Sequence, residues 1–206
     1  RQIDQQVIDA GTPGVVLMKR AARAALDVLL THWPQPECIS VMCGSGNNGG
    51  DGYLLAALAA EQGLSVEVYA FGERSMSGDA LRAAQYAREA GVPCRQWHED
   101  TVLPVSGVLV DALLGTGSIG APRQEIADAI AKMNDSGLPL LALDIPSGLD
   151  PDTGIAAGDV VSADVTVTFI ALKRGLFTAM APDVCGMVQY ADLGVDEAFR
   201  EACDNE

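Results

Sequence analysis

Residues 38–52 read CISVMCGSGNNGGDG, and this stretch decides the fold. Cys38 to Cys43 is a short apolar run of the kind that forms a strand buried on both faces. It leads directly into Gly44, which opens a Gly-x-Gly-x-x-Gly segment. Residues 107–121, GVLVDALLGTGSIGA, repeat the arrangement: a strand from Val108 to Ala112, then a second such segment opened by Gly115. Glycines at the carboxyl end of a strand let a ligand approach the backbone, and the helix that follows turns free N–H groups toward an anion. One such loop is a weak sign; two point to a nucleotide.

Outward from these loops, strand and helix signals alternate. A long helix is expected after Thr12 up to Trp33, with Pro13 in its first turn and apolar residues at helical spacing. A helix from Gly50 to Gln62 follows the first strand, then a strand at Leu64–Ala70. Ser77–Ala90 reads as a helix capped by Ser77 and stopped by Gly91. Pro122–Asn134 is a further helix. Leu138–Asp144, Asp164–Phe169 and Met187–Ala191 complete the strands. Alternation of this kind predicts right-handed βαβ units, and so an α/β fold: a three-layer αβα sandwich on a Rossmann-like, mostly parallel sheet. Residues 1–206 read as a single domain with no linker dividing it, and the polar, acidic end, DEAFREACDNE, reads either as a tail or as the start of a linker to a further domain.

Composition narrows the function. The chain has 206 residues, 49% of them apolar and 20% charged, with a formal net charge of -15. That acidity argues against a nucleic-acid partner, whose phosphates need a basic face. No apolar run is long enough for a membrane span, and the first residues lack the apolar core of a secretory signal. Five cysteines (Cys38, Cys43, Cys94, Cys185 and Cys203) show no C-x-x-C spacing, which suits free thiols in a reducing cytoplasm. His32 and His98 both lie away from the glycine loops.

The two loops differ in character. Asp51 stands near the start of the helix after the first loop, where it would repel a diphosphate. Asn47, Asn48 and Asp51 are better matched to ribose hydroxyls, an amide group or a cation. The second loop carries no acid before Glu125 and offers Thr116, Ser118 and several backbone N–H groups, so it is the better phosphate cradle. A dehydrogenase of the usual Rossmann type also wants an acid at the tip of the second strand; Glu67 lies within the strand, a poor match. A third segment, LPLLALDIPSGLDPDTG at 138–154, is a strand ending in Asp144 and a turn. Asp51, Asp111 and Asp144 are expected to converge on one sheet edge, where three acids need a proton, a cation or strong donors.

GSGNNGGDG, DALLGTG and DIPSGLD, in that order, resemble the YjeF N-terminal domain family, the NAD(P)HX epimerases. The N-terminal IDQQVIDAGTPGVVLMKRAARA and the late TFIALKRGL fit as well, so the resemblance covers nearly the whole chain. It implies a substrate, NADH or NADPH hydrated at C6 of the nicotinamide ring, whose R and S forms are interconverted for a dehydratase. By motif it implies substrate contacts at Asn47, Asn48, Gly49, Gly50 and Asp51, at Gly115, Thr116, Gly117, Ser118, Ile119, Gly120 and Ala121, and at Asp144. It further implies one potassium ion per subunit at Asn48, Asp111 and Ser147, a homodimer or higher homo-oligomer, and a fused or separate dehydratase. Asp144 is the expected acid–base group, and Lys173 a second candidate near the ring or the phosphates. An NAD-dependent oxidoreductase and a non-enzymatic binding module of the same fold are the alternatives.

Overall fold

In the computed structural model, residues 13–72 and 76–195 are described; the segment before Pro13 and the acidic tail lie outside them. Helix α1 (Gly14–His32) buries Leu17, Met18, Ala21, Ala22, Ala25, Leu26 and Leu29, one stripe at helical spacing. Strand β1 (Ile39–Cys43) is buried throughout, as its mostly apolar run implies. Helix α2 (Asn47–Glu61), β2 (Val66–Ala70), α3 (Gly78–Glu89) and β3 (Cys94–Gln96) come next. They are followed by β4 (Val108–Ala112), α4 (Gln124–Asp135), β5 (Leu140–Leu143) and β6 (Val165–Phe169). A 3₁₀ turn (Arg174–Phe177), the one-turn α5 (Ala181–Val184) and β7 (Met187–Ala191) complete the order.

The seven strands form one sheet in the order β3-β2-β1-β4-β5-β6-β7, and every pairing is parallel. The side chains of β1 and β4 alternate between faces. Ile39, Val41, Cys43, Val108, Val110 and Ala112 join the core under α1, α2 and α3. Met42 and Leu109 turn to the other face, where Ala129, Ile130 and Met133 of α4 cover them. Among the described residues no helix lies over β2 and β3 on that face, and aromatic side chains fill the place. Trp97 stacks on Phe71 at 5.0 Å and meets Tyr69 edge-on at 6.1 Å between ring centroids. The three-layer arrangement expected from the alternation is present.

Several local expectations need correction. Helix α2 begins at Asn47, three residues before the expected Gly50, so the two asparagines belong to its first turn. It is buried nearly all round, wedged between α1 and α3. A Cβ at Gly50 would lie 2.8 Å from the Met18 sulfur and 3.1 Å from the Ala80 Cα. Ser77 occupies the N-cap position of α3 but makes no side-chain cap bond. Strand β3 was not expected, because CRQ is half exposed and carries no apolar pattern to read. The short helices after β6 likewise lack a periodic stripe. Gly91, with φ 82°, ends α3 as its type suggests.

Candidate active site

The strand order reverses direction between β1 and β4, since one half of the sheet grows outward from each. Crevices at such points, beyond the carboxyl ends of the strands, are where open α/β sheets bind ligands. Both glycine loops open there. The first approaches β4 closely: Gly44 N–H donates to Ala112 O at 2.9 Å. A Cβ at Gly49 would stand 1.9 Å from the Gly44 carbonyl oxygen, so Gly49 presses its Cα face against protein. What Gly49 and Gly50 leave for a ligand is backbone. Asn47 is exposed and Asp51 half-buried, while residues 117–121 of the second loop are exposed. Helix α4 starts at Gln124, two residues later than expected.

Behind these loops lies a polar knot. Asp111, from β4, is fully buried. One carboxylate oxygen accepts the Ser147 hydroxyl proton at 2.6 Å and the Leu113 N–H at 3.1 Å; the other accepts the Ser147 N–H at 2.7 Å. Burial pushes this carboxyl up to about 6, against the pull of the Ser147 and Leu113 bonds, which favour the charged form. The Ser147 hydroxyl oxygen also accepts from Leu114 N–H at 2.8 Å. Asn48 donates through Nδ2 to Leu114 O at 2.8 Å. Its Oδ1 is buried without a hydrogen-bond partner. An orphaned amide oxygen beside a buried carboxylate and a hydroxyl is an all-oxygen donor set, suited to a hard cation. Among the described residues no cluster of three His, Cys, Asp or Glu side chains offers an alternative metal centre.

The third acid stands at the end of β5, two residues past the position that pairs with Asp111. Asp144 has φ 66°, and the Ile145 N–H reaches back to Leu143 O at 2.8 Å, closing a γ-turn of positive φ. The next strand ends the same way: Ile170 has φ 66°, with Ala171 N–H to Phe169 O at 2.6 Å. The turn after β6 carries Lys173 back over the strand ends. Its ammonium donates to Asp144 Oδ1, to Thr168 Oγ1 at 2.9 Å and to Phe169 O at 2.8 Å. Asp144 and Lys173 are both mostly buried, with side-chain exposures of 17% and 16%. The crowding expected of three acids is thus relieved by the protein at two of them. Asp111 receives hydrogen-bond donors, and Asp144 receives an ammonium. Lys173, the second candidate from the sequence, stands four residues beyond the end of a buried strand that neighbours the Asp144 strand. Glu67 is engaged within the sheet, accepting from Ser40 at 3.2 Å and Tyr69 at 3.0 Å, with Arg95 at 3.6 Å. It is not presented to a ribose.

The sequence profile described as the YjeF-related protein N-terminus matches residues 14–175. The chain belongs to this family. Among YjeF-related relatives, the bifunctional NAD(P)H-hydrate repair enzyme of Coxiella burnetii is 42% identical over 203 residues, 98% of this chain and 41% of that protein. The enzyme of the same name from Escherichia coli K12 is 42% identical over 182 residues, covering 87% of this chain and 35% of its own. The NAD(P)H-hydrate epimerase of Legionella pneumophila strain Philadelphia 1 is 32% identical over 192 residues, 90% of this chain and 71% of that protein. The chain spans about two fifths or less of the length of the bifunctional relatives. The crystal structure of the yeast protein ynu0 superposes with a TM-score of 0.79 at 18% identity, over 92% of this chain and 83% of that one, and so shares the fold.

Proposed function

We propose that this domain interconverts the R and S forms of NADH and NADPH hydrated at C6 of the nicotinamide ring. A dehydratase that takes one form can then restore the intact dinucleotide from both. One observation carries the reading: at the switch-point edge of a YjeF-related domain, a mostly buried Asp144 is held on a left-handed turn with one oxygen bound to Lys173. That leaves its other oxygen for substrate.

The chemistry suits a carboxylate–ammonium pair. C6 of the hydrate carries a hydroxyl and is bonded to the ring nitrogen, so it is a hemiaminal. Loss of water from its protonated form leaves a planar iminium carbon, and water returns to either face. In the proposed step the Lys173 ammonium gives a proton to Asp144, which passes it on to the departing hydroxyl; a neutral Lys173 amine, the Asp144 carboxylate, water and the iminium remain. Positive charge moves from the ammonium to the iminium, and the Asp144 carboxylate faces it throughout. Return of water to the opposite face gives the proton back along the same path.

Asn47 and Asp51 are assigned to hydroxyl or amide groups of the substrate. The backbone of Gly49 and Gly50, the second loop from Gly115 to Ala121, and above all the Thr116 and Ser118 hydroxyls, are assigned to the rest of the dinucleotide and its diphosphate. Asn48, Asp111 and Ser147 would hold one potassium ion, which when bound supplies a fixed positive charge beside the buried Asp111 and the diphosphate. A companion dehydratase, self-association into a homodimer and action in the cytoplasm belong to the same reading. The test is direct: R-enriched hydrated NADH is supplied and its conversion to S followed by chromatography. The wild-type domain accelerates conversion, and Asp144→Asn lowers the rate by about 100-fold or more while substrate still binds. Turnover of Asp144→Asn at the wild-type rate would reject the assignment.

A further inference from the structure

An ammonium group has three N–H donors and no acceptor. In this protein all three of Lys173 are engaged: Asp144 Oδ1, Phe169 O at 2.8 Å and Thr168 Oγ1 at 2.9 Å. The first acceptor is the expected acid–base group and the second is backbone. The third is a side chain that nothing so far accounts for. Thr168 lies on β6 and is fully buried. Its strand neighbours Val167 and Phe169 point into the core under the long helices, whereas Thr168 and Thr166 point to the opposite face. Thr166 gives its hydroxyl to Cys185 O at 2.7 Å. A buried strand position of this kind favours valine, which has nearly the shape of threonine but no hydroxyl to satisfy.

We propose that Thr168 is a positioning residue for the Lys173–Asp144 pair: its buried hydroxyl completes a three-acceptor socket that fixes the ammonium over the ends of β5 and β6. The inference rests on the epimerase reading, in which that pair moves the proton. Two further observations support the socket. Ile170 is a β-branched residue at φ 66°, a conformation that costs such a residue about 1–3 kcal/mol and persists only where its surroundings impose it. Its N–H is held by Ala191 O at 2.9 Å, and the reversal it makes is what returns Lys173 to the strand it has just left. Phe169 O accepts from both Ala171 N–H and the ammonium, so the turn and the socket share an atom. Of the three acceptors only the carboxylate is basic enough to take a proton. With the other two N–H groups occupied by a hydroxyl and a carbonyl, the ammonium has one outlet, Asp144. It cannot swing to solvent or to a substrate phosphate without leaving two acceptors behind.

The experiment compares Thr168→Val with Thr168→Ser in the full chain. Valine keeps the branched shape and removes the acceptor; serine keeps the acceptor. Thr168→Val lowers kcat roughly tenfold, the effect of losing one hydrogen bond of about 1.4 kcal/mol from the transition state, with KM within about twofold. Thr168→Ser restores most of kcat. The second readout does not depend on turnover. The chain has only three lysines, Lys19, Lys132 and Lys173, so their ammonium signals separate in lysine-selective ¹⁵N NMR. The Lys173 ammonium exchanges slowly with water in wild type and Thr168→Ser and rapidly in Thr168→Val, while Lys132, which donates to Glu99 O and Thr101 O, stays unchanged in all three. A Lys173 signal unaffected by Thr168→Val overturns the socket. Lowered thermal stability with wild-type kcat and KM overturns the positioning role and leaves Thr168 a packing residue. Absence of turnover in the wild type sinks the epimerase reading, and the ammonium spectra still decide the socket.

Discussion

Ser147→Ala tests the polar knot behind the glycine loops. The substitution removes one oxygen that does two jobs. It donates to the Asp111 carboxylate at 2.6 Å and accepts from Leu114 N–H at 2.8 Å. A hydrogen bond to a charged group contributes ~1.5–3 kcal/mol, and a buried N–H left without an acceptor costs ~1–3 kcal/mol. Leu114 is only partly buried, so water recovers some of the second term. The Ser147 backbone N–H still reaches Asp111 at 2.7 Å, which keeps the carboxylate from being stranded. A loss of about 3 kcal/mol follows. With a urea slope of about 2 kcal/mol per molar, the unfolding midpoint falls by about 1.5 M. Equilibrium urea unfolding, followed by tryptophan fluorescence in potassium-free buffer, measures it. A midpoint within about 0.4 M of wild type refutes the account, because it would mean that the hydroxyl stabilises neither the carboxylate nor the loop.

Three other outcomes are expected. If Asn48, Asp111 and Ser147 hold potassium, replacing choline chloride by potassium chloride at ten times the dissociation constant adds about 1.4 kcal/mol, a rise in melting temperature of roughly 3–6 °C. Asn48→Leu abolishes that rise, and a wild type indifferent to the exchange rejects the site. Gly49→Ala places a methyl 1.9 Å from the Gly44 carbonyl and costs at least about 3 kcal/mol, whereas Gly46→Ala, with nothing within 4 Å, costs under about 1 kcal/mol; equal melting temperatures would contradict the packing reading. Finally, Asp150 is held below the ordinary carboxylate range, chiefly by the Thr153 hydroxyl and then by the Thr153 and Asp152 N–H groups. A depressed native carboxyl stabilises the fold above its unfolded value, and that contribution disappears as pH falls through the native one. NMR titration should place Asp150 below the other exposed carboxyls, and Thr153→Ala should raise it; an unmoved titration would dissociate the turn from the shift.

Most of the architecture was legible because periodicity and punctuation agreed. The stripe of α1 is a clear helical pattern, and the short, mostly apolar runs of β1, β4 and β5 are bounded by glycine or proline turns. Strand β3 was not legible, since Cys94–Gln96 is three residues at a sheet edge, half exposed and without alternation. The start of α2 was misplaced because Asn47 and Asn48 are poor helix formers by type; here one tethers Leu114 and the first turn carries both. Within the site, Asn48, Asp111 and Ser147 were named by motif, and the structure brings them together around Leu114. Gly49 and Gly50 were named as ligand contacts, yet their side-chain positions are filled by protein. Lys173 was a second candidate only, because no spacing rule links it to Asp144. The link is the left-handed turn at Ile170, a conformation that its residue type disfavours and that only the surrounding strands impose.

The all-parallel sheet also sets an order of events during synthesis. No two neighbouring strands are joined by a hairpin. The central pair, β1 with β4, joins residues about 70 positions apart, so its loop closure alone costs roughly 4 kcal/mol before any contact offsets it. Asn48, Asp111, Ser147, Asp144 and Lys173 hang on four of these strands. A chain emerging from the ribosome therefore cannot bring all five together until β6 and Lys173 have cleared the exit tunnel. Until then β5 lacks the neighbour that β6 supplies, and a fragment ending before residue 165 would leave a buried apolar strand as an open sheet edge, a target for chaperones.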